Sequence, residues 1–401
     1  MLTLFTFAKP GHPKKPSAAE KKWVGTWGTA RQLVEPQNMP PTPGLTNNTL
    51  RQVVCVSVGG KSLRLKFSNE FSKDPVTMKV VQIAVSKGGS TIDASTIKAL
   101  TFNGKSDITM APGTEVTSDP ISFDLKPRME VAITIAYGET SQTVTGHPGS
   151  RTTSYILAGD HTTPDADFTD AAKADHWYNI TGIEVEANKS ADAAVVVLGD
   201  SITDGRGSGT NKQDRWPDIL AMSLLNNPKT KNIGVLNMGI GGGTILRGGL
   251  GPTALVRFNH DILGQNGVKW LIIFEGVNDL GGTRRDSTIA NKVAADLIVA
   301  YDKMITDAHA KGIKVYGATI TPFKKNNYYS VYSDAARNKV NEWIRTSGHF
   351  DAVIDFDKTV RDPNDTATLL TELQSGANDY LHLNEVGYKT MGESIDLKLF
   401  K

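Results

Sequence analysis

A serine lies just after a run of four apolar residues in the second half of the chain. Residues 195–198 read Val-Val-Val-Leu and are followed by Gly199, Asp200 and Ser201. Four consecutive apolar residues predict a buried parallel strand. A serine just beyond the carboxyl end of such a strand faces the crevice in which open α/β sheets bind ligands. Beside a histidine, this serine would have the chemistry of a nucleophile.

A histidine with a nearby acid occurs close to the other end of the sequence. The run Asp379-Tyr380-Leu381-His382 places a carboxylate three residues before an imidazole. This spacing is roughly one helical turn, so the two side chains can meet. The acid would fix the imidazole tautomer and leave the other ring nitrogen free to take the proton of Ser201. Ser201, Asp379 and His382 are therefore the predicted catalytic residues.

Two further segments offer hydrogen-bond donors for an oxyanion. The glycine loop of residues 237–244, which includes Gly242, follows a predicted strand, and its amides can approach a ligand closely. Asn278 follows another predicted strand, which brings its amide to the same edge of the sheet. A nucleotide cradle is disfavoured, because the loop lacks the third glycine of G-x-G-x-x-G and no clear ribose-binding acid follows it.

Together these blocks resemble the four sequence blocks of the SGNH (GDSL-type) hydrolase family. The chain reads G-D-S-I-T-D-G, N-M-G-I-G-G-G-T, E-G-V-N-D and D-Y-L-H in the family's order and approximate spacing, across about residues 192–401. R-W-P-D at 215–218 and R-F at 257–258 are similar to the acetylxylan-esterase-like and arylesterase-like branch. The G-x-S-x-G elbow of α/β-hydrolases is absent. Leu383 and Gly243 depart from the family's frequent proline and asparagine, at positions that carry no chemistry.

The resemblance implies a role for each residue of the site. Ser201 would be the nucleophile, His382 the base and Asp379 the acid that orients it. The backbone amides of Ser201 and Gly242 and the side chain of Asn278 would form the oxyanion hole. The implied enzyme is a serine ester hydrolase that needs no cofactor.

The resemblance also implies short acyl groups, above all acetyl, on a carbohydrate such as acetylated xylan. Trp216 and Arg151 are the candidate substrate-binding residues: an indole can stack on a sugar ring, and Arg151 lies in the polar loop of residues 149–153. One alternative is a broad arylesterase or lipase-like esterase that acts on small or lipid esters. A more remote one is a non-catalytic carbohydrate-binding protein.

The composition excludes several other classes. Lys and Arg total 44 against 42 for Asp and Glu, a net charge of +2, and no basic run with interleaved aromatic residues predicts nucleic-acid binding. No stretch approaches the ~18 apolar residues of a membrane span. The single cysteine, Cys55, allows no intrachain disulfide, and no H-E-x-x-H or C-x-x-C pattern predicts a metal site. The expected partner is an acylated carbohydrate or small ester. We expect secretion, although residues 2–7 make a poor signal peptide, and the oligomeric state does not follow from the sequence.

Residues 23–186 are expected to form an all-β accessory domain. Short β-rich runs alternate with turn signals at Gly88-Gly89 and Asn103-Gly104, which predicts a sandwich or jelly roll. Gly59-Gly60-Lys61 predicts a hairpin between two of the runs. The predicted strands are Arg51–Val58, Ser62–Phe67, Val76–Lys87, Ile121–Leu125, Arg128–Tyr137 and Thr152–Ala158.

Residues 187–401 are expected to form the catalytic domain. Strand and helix patterns alternate from residue 193, which predicts a doubly wound parallel sheet, flavodoxin-like as in the SGNH hydrolases. Residues 187–192 are the expected boundary, and residues 1–22 a flexible extension. The predicted strands are Ala193–Leu198, Ile233–Leu236, Trp270–Phe274, Ile313–Thr319 and Ala352–Phe356; the predicted helices lie near Arg215–Leu225, Ser287–Lys311, Ser333–Thr346 and Glu385–Leu397.

Overall fold

The described part of the chain has a β-rich half followed by an α/β half. The structure, a computed structural model, describes residues 22–187, 192–283 and 286–401. The predicted extension of residues 1–22 and the predicted boundary at 187–192 therefore fall largely outside the described residues. The limits of the two predicted domains stay predictions.

The β-rich half is a sandwich of antiparallel sheets. One sheet has the order β1-β15-β4-β8, with β9 also on β4; the facing sheet has the order β13-β12-β3-β10-β5-β6, with β7 also on β5; a small sheet joins β14, β11 and β2. The strands are β1 (Trp23–Gly28), β2 (Gln32–Leu33), β3 (Asn48–Cys55), β4 (Gly60–Ser68), β5 (Val76–Val85), β6 (Lys98–Ala99), β7 (Ile108–Met110), β8 (Glu115–Thr117), β9 (Ile121–Leu125), β10 (Glu130–Tyr137), β11 (Thr145–His147), β12 (Ser154–Ala158), β13 (Ala172–Ala174), β14 (Trp177–Tyr178) and β15 (Ile180–Glu186).

Alternating side chains build the core of this sandwich. In β4, Leu63, Leu65 and Phe67 are buried while the residues between them are partly exposed, the pattern of a strand with one face on a core. They pack in one apolar cluster with residues of β3 and β10 from the facing sheet. The predicted all-β sandwich is therefore confirmed as a fold class.

The predicted hairpin at Gly59-Gly60-Lys61 is wrong. Strand β3 pairs with β10 and β12 in one sheet, whereas β4 pairs with β15, β8 and β9 in the other. After Cys55 the backbone turns away from its sheet, and the Ser57 amide donates to the Thr26 carbonyl at 2.8 Å. The glycine pair therefore marks a crossing between two layers and not a tight turn within one.

The α/β half is built on a parallel sheet of order β17-β16-β18-β19-β20. Its strands are β16 (Ala193–Gly199), β17 (Ile233–Gly239), β18 (Val268–Phe274), β19 (Lys314–Ala318) and β20 (Ala352–Ile354). The second strand in the sequence lies outside the first, and the later strands follow on the other side, which is the predicted flavodoxin-like order. Every residue of β16 is buried, because this strand lies between neighbours and has helices on both faces.

The helices of this half connect successive strands and cover the sheet. They are α1 (Ser201–Asp204), α2 (Trp216–Asn226), α3 (Ala254–Phe258), α4 (Val277–Gly281), α5 (Ser287–His309), α6 (Val331–Thr346), α7 (Phe356–Val360) and α8 (Glu385–Glu393). Helix α5 buries residues such as Leu297, Tyr301 and Met304 at helical spacing. In the described ranges, no helix has both the length and the apolarity to cross a membrane.

The two halves pack closely against each other. Strand β1 packs on β17, and Val24 belongs to the apolar core of the α/β half. The Ser57 hydroxyl joins the backbones of both halves: it donates to the Thr26 carbonyl at 2.5 Å and accepts the Val235 amide at 2.9 Å. Gly234 allows the backbones to approach, since a Cβ there would lie 2.3 Å from the Gly25 carbonyl oxygen.

Candidate active site

The serine, histidine and acid identified in the sequence are joined by hydrogen bonds. Ser201 Oγ lies 2.9 Å from Nε2 of His382, and Nδ1 of His382 lies 3.0 and 3.1 Å from the two carboxylate oxygens of Asp379. Ser201 and His382 are 6% and 7% exposed, so substrate can reach them while the pair stays largely shielded from water. A serine–imidazole–carboxylate chain at these distances can transfer the serine proton to the histidine.

Local backbone structure places Ser201. Gly199 ends β16, and Asp200 caps α1 by accepting the Ile202 amide at 2.9 Å. Ser201 is the first residue of α1, where a backbone amide has no partner within the helix. The Ser201 amide is therefore left without a helical partner, at the same edge of the sheet as the hydroxyl of this residue.

The acid and the histidine share a loop before α8, not a helical turn. Asp379 Oδ1 accepts the backbone amides of Leu381 at 3.0 Å and His382 at 2.8 Å, a turn that short acidic side chains commonly form. Burial alone would raise the pKa of Asp379, but the hydrogen bonds from the His382 ring and backbone hold it well below its ordinary range. Asp379 is therefore a carboxylate at neutral pH.

The glycine loop after β17 supplies a backbone donor. Gly242 has a φ of 70°, a left-handed conformation that favours glycine. Among the described residues, its amide donates to no protein acceptor. A free backbone amide in a glycine loop at this edge of the sheet is the kind of donor that can stabilise an oxyanion.

Asn278, in the first turn of α4, lies beside this loop. Its Nδ2 donates to the Gly243 carbonyl at 2.7 Å, and its Oδ1 accepts the Tyr328 hydroxyl at 2.8 Å. An amide nitrogen carries two hydrogens, so one remains for a ligand. The structure thus brings Ser201, Gly242 and Asn278 to one edge of the sheet. Their individual roles stay predictions.

A buried arginine connects the strand ends that carry these residues. Arg257 of α3 donates to the carbonyl oxygens of Gly199, at 3.1 Å, and of Met238, and it lies 3.3 Å from a carboxylate oxygen of Glu275. These partners lie at the carboxyl ends of β16, β17 and β18. Because the candidate nucleophile and both oxyanion segments follow those strands, the guanidinium fixes their spacing.

Three buried carboxyl groups, those of Asp200, Glu275 and Asp279, lie near the candidate oxyanion segments. Burial and then the nearby Glu275 raise the pKa of Asp200 well above its ordinary range. Burial raises the pKa of Glu275 to about 7, although Arg257 lowers it. Burial also raises the pKa of Asp279, whose carboxylate accepts the amides of Ile245 and Leu246. The described residues contain no group of His, Cys, Asp and Glu that could hold a metal ion.

A cavity of about 590 Å³ opens beside Gly242 and Asn278. Tyr328 and apolar side chains from α5 and from the segment that follows the glycine loop form much of its wall. Ser201 and His382 do not line this cavity. The cavity therefore lies on the Gly242 and Asn278 side of the candidate site and extends away from His382. The apolar wall residues are Leu246, Leu250, Ile289 and Val293.

The β-rich half reaches the helix that carries Ser201. His147 of β11 contacts Asp204 Oδ1 through Nε2 at 2.8 Å and the Ala30 carbonyl through Nδ1 at 2.7 Å. Arg151 lies 3.4 Å from the other oxygen of Asp204. Sequence reasoning missed His147, because no local pattern around it indicates a partner in the other half. Contact of Arg151 with substrate stays a prediction.

The prediction that Trp216 binds substrate is wrong. Its side chain is fully buried, and its indole packs edge-on against Phe274 and Phe356, with ring centroids 6.3 and 5.2 Å away. As the first residue of α2, Trp216 points inward onto β18 and α7, so no sugar ring can reach it. Trp216 of the R-W-P-D segment therefore belongs to the apolar core of the α/β half.

Comparison with known proteins places the α/β half in a family. A model described as the GDSL-like lipase/acylhydrolase family matches residues 197–390. The chain is similar to a member of the lipolytic protein G-D-S-L family from Veillonella parvula DSM 2008, with 22% identity and a TM-score of 0.35, over 50% of this chain and 95% of that one. It is similar to the acetyl xylan esterase AlAXEase, with 19% identity and a TM-score of 0.36, over 50% and 96%.

A further solved structure is similar along nearly the whole chain. The family two carbohydrate esterase from Cellvibrio japonicus shows 10% identity and a TM-score of 0.38, over 95% of this chain and 97% of that one. No curated protein sequence matches significantly. Residues 197–390 form a domain of the GDSL-like lipase/acylhydrolase family, and the protein is a carboxylic ester hydrolase.

Proposed function

We propose that this enzyme removes short acyl groups, above all acetyl, from carbohydrate esters such as acetylated xylan. The hydrogen-bonded chain from Asp379 through His382 to Ser201 supports the hydrolytic chemistry. The carbohydrate part of the proposal rests on the sequence resemblance to acetylxylan-esterase-like proteins.

The reaction begins with proton transfer from Ser201 to Nε2 of His382 as Oγ attacks the ester carbonyl. Asp379 keeps the Nδ1 proton in place and stabilises the imidazolium that forms. The oxyanion accepts hydrogen bonds from the amides of Ser201 and Gly242 and from the free hydrogen on Nδ2 of Asn278. Loss of one such donor lowers kcat by on the order of a hundredfold.

Collapse of the tetrahedral intermediate breaks the ester C–O bond. His382 returns its proton to the departing alcohol and leaves an acyl group on Ser201. Water then gives a proton to the same nitrogen as it attacks, and the second collapse releases the carboxylic acid and restores the serine. The leaving oxygen must therefore face His382, while the former carbonyl oxygen faces the Gly242 and Asn278 side.

The cavity on that side favours a second candidate, an esterase for longer or aromatic acyl groups. Its volume of about 590 Å³ lies in the range of pockets for drug-sized ligands, roughly 300–1,000 Å³, and far exceeds the space that a methyl group needs. Its apolar wall would bury such a chain at a gain of about 0.8 kcal/mol per methylene.

A substrate panel with a cavity variant tests the two candidates. kcat/KM is measured on acetylated xylo-oligosaccharides and on p-nitrophenyl esters from acetate to octanoate, with the wild type and Ile289→Trp. Ile289 is exposed and lines the cavity, whereas Val299 is exposed on the same helix outside it and provides Val299→Trp as the matched control. Preference for acetyl esters, unaffected by Ile289→Trp, supports deacetylation of carbohydrates. Preference for long esters that is lost only in Ile289→Trp supports the second candidate.

A further inference from the structure

The candidate oxyanion donor Asn278 is held at both ends of its side chain. Its Nδ2 donates to the Gly243 carbonyl and its Oδ1 accepts the Tyr328 hydroxyl, at 2.7 and 2.8 Å. The Gly243 carbonyl selects the amide orientation, since the flipped amide would bring two acceptors together. The Tyr328 hydroxyl then fixes the other end, so the direction of the remaining N–H is set.

A glycine makes this contact possible. The Tyr328 ring lies on the bare backbone of Gly281 in α4, where a Cβ would come 2.4 Å from two ring carbons. Gly281 stands three residues after Asn278, so both lie on the same face of the helix. Any larger residue at 281 would displace the ring and with it the hydroxyl.

The segment that carries Tyr328 also contacts the acid–histidine loop. Asn326 donates through Nδ2 to the Asp379 carbonyl at 2.7 Å, and its Oδ1 accepts the Tyr328 amide at 3.0 Å. The Tyr328 carbonyl in turn accepts the Ser333 hydroxyl at 2.8 Å. Residues 326–328 therefore join the loop of the candidate base to the candidate oxyanion donor.

We infer that Tyr328 is a positioning residue for the Asn278 oxyanion donor and that Gly281 provides the space for its ring. This inference rests on the proposed function, in which Asn278 stabilises the transition state. A hydroxyl that polarises Oδ1 also strengthens the N–H donors of the same amide. Tyr328 acts on kcat through Asn278 and does not contact the reacting atoms.

The test compares Tyr328→Phe with wild type on p-nitrophenyl acetate in the full chain. Removing only the hydroxyl lowers kcat by about 3- to 10-fold and leaves KM nearly unchanged, the cost expected for one neutral hydrogen bond that acts in the transition state. Tyr329→Phe is the matched control: Tyr329 is half-buried, and among the described residues its hydroxyl has no hydrogen-bond partner. Its kcat stays at the wild-type value.

A double-mutant cycle separates this positioning effect from general damage. In an Asn278→Ala background, Tyr328→Phe causes no further loss of kcat, because the group that it positions is gone. Gly281→Ala lowers kcat at least as much as Tyr328→Phe, and adds nothing in the Asn278→Ala background. Circular dichroism checks that each variant is folded.

Two different failures can be distinguished. An unchanged kcat in Tyr328→Phe, or a loss of the same size with and without Asn278, overturns the positioning role while the proposed function stands. If Asn278→Ala itself leaves kcat unchanged, the oxyanion role of Asn278 in the proposed function fails first.

Discussion

The buried carboxyl of Glu275 makes the stability of the fold depend on pH. Its side chain is fully buried, one carboxylate oxygen has no hydrogen-bond partner among the described residues, and the other lies 3.3 Å from Arg257. Burial raises the pKa of Glu275 from 4.5 to about 7, against the opposing charge of Arg257 and with a contribution from Asp279. The folded protein therefore binds a proton here more tightly than the unfolded chain.

The sign and size of the effect follow from linkage. Below the unfolded pKa both states hold the proton, and Glu275 costs nothing. As pH rises from about 4.5 to about 7, the unfolded chain releases the proton first, so the free energy of unfolding falls. Above the folded pKa the loss is complete, and the difference between a pKa of 4.5 and one of about 7 corresponds to about 3 kcal/mol.

Urea unfolding of the wild type and of Glu275→Gln measures this loss. Asp200 and Asp279 are also buried acids with raised pKa values and titrate in both proteins. The difference between the two proteins therefore reports the titration of Glu275 together with its coupling to these neighbours. Between about pH 5 and pH 8 the difference should shift by about 3 kcal/mol in favour of Glu275→Gln.

An exposed glutamate provides the control for this experiment. Glu342 lies on the exposed face of α6, and Glu342→Gln should follow the wild-type curve at each pH. A difference between Glu275→Gln and wild type that does not change with pH would refute the reasoning, because it would show that Glu275 keeps the same proton occupancy in both states.

Three further predictions concern the site and the junction. Ser201→Ala should abolish ester hydrolysis with no change in circular dichroism, and an organophosphonate should label only Ser201 of the wild type; labelling at another residue would contradict the assignment. Asp379→Asn should lose less kcat on an aryl acetate than His382→Ala, since the acid only orients and stabilises the ring; the reverse order would place the base elsewhere. A chain shortened to residues 187–401 should be insoluble or inactive, because β1 and Val24 cover β17; soluble expression with full kcat/KM would show that the β-rich half has no structural role.

The parallel sheet could be predicted because its central strands, β16 and β18, contain long apolar runs. The run at 195–198 is buried on both faces, and the observed β16 differs from the predicted strand only by including Gly199. Strand β17 continues three residues past the predicted end, to Gly239. Its last residues form ladder contacts with β16, and pairing of this kind is a tertiary effect that local composition does not show.

The β-rich half was harder to predict because its pairing is non-local. The six predicted runs correspond to β3, β4, β5, β9, β10 and β12, whereas the other strands, including β1 and β15, were not predicted. A glycine pair between two strands does not reveal whether the chain turns back or crosses to another sheet. At Gly59 and Gly60 it crosses, since the partners of β3 and β4 come from β10, β12 and β15, far along the sequence.

The candidate site shows the same division between local and distant information. The spacing of Asp379 and His382 predicted that these two meet, and the resemblance to the SGNH sequence blocks was sufficient to place Ser201 beside them. The inward direction of Trp216 depends on packing against α7, and the contacts of His147 with Asp204 and of Tyr328 with Asn278 join residues 57 and 50 positions apart. No periodicity or short motif encodes such pairs.

The position of β1 has a consequence for synthesis on the ribosome. Among the strands that the structure describes, β1 lies at the edge of its sheet and pairs with the late strand β15 alone, and its face covers β17. The face of β1 at Gly25 and Gly28 therefore stays uncovered until the chain has been made as far as Leu236 and Met238, although β1 emerges before almost all of its partners. A nascent chain that exposes an unpaired apolar strand for this long is prone to aggregate or to bind chaperones. Yield during expression should thus depend on how fast translation passes through β16 and β17.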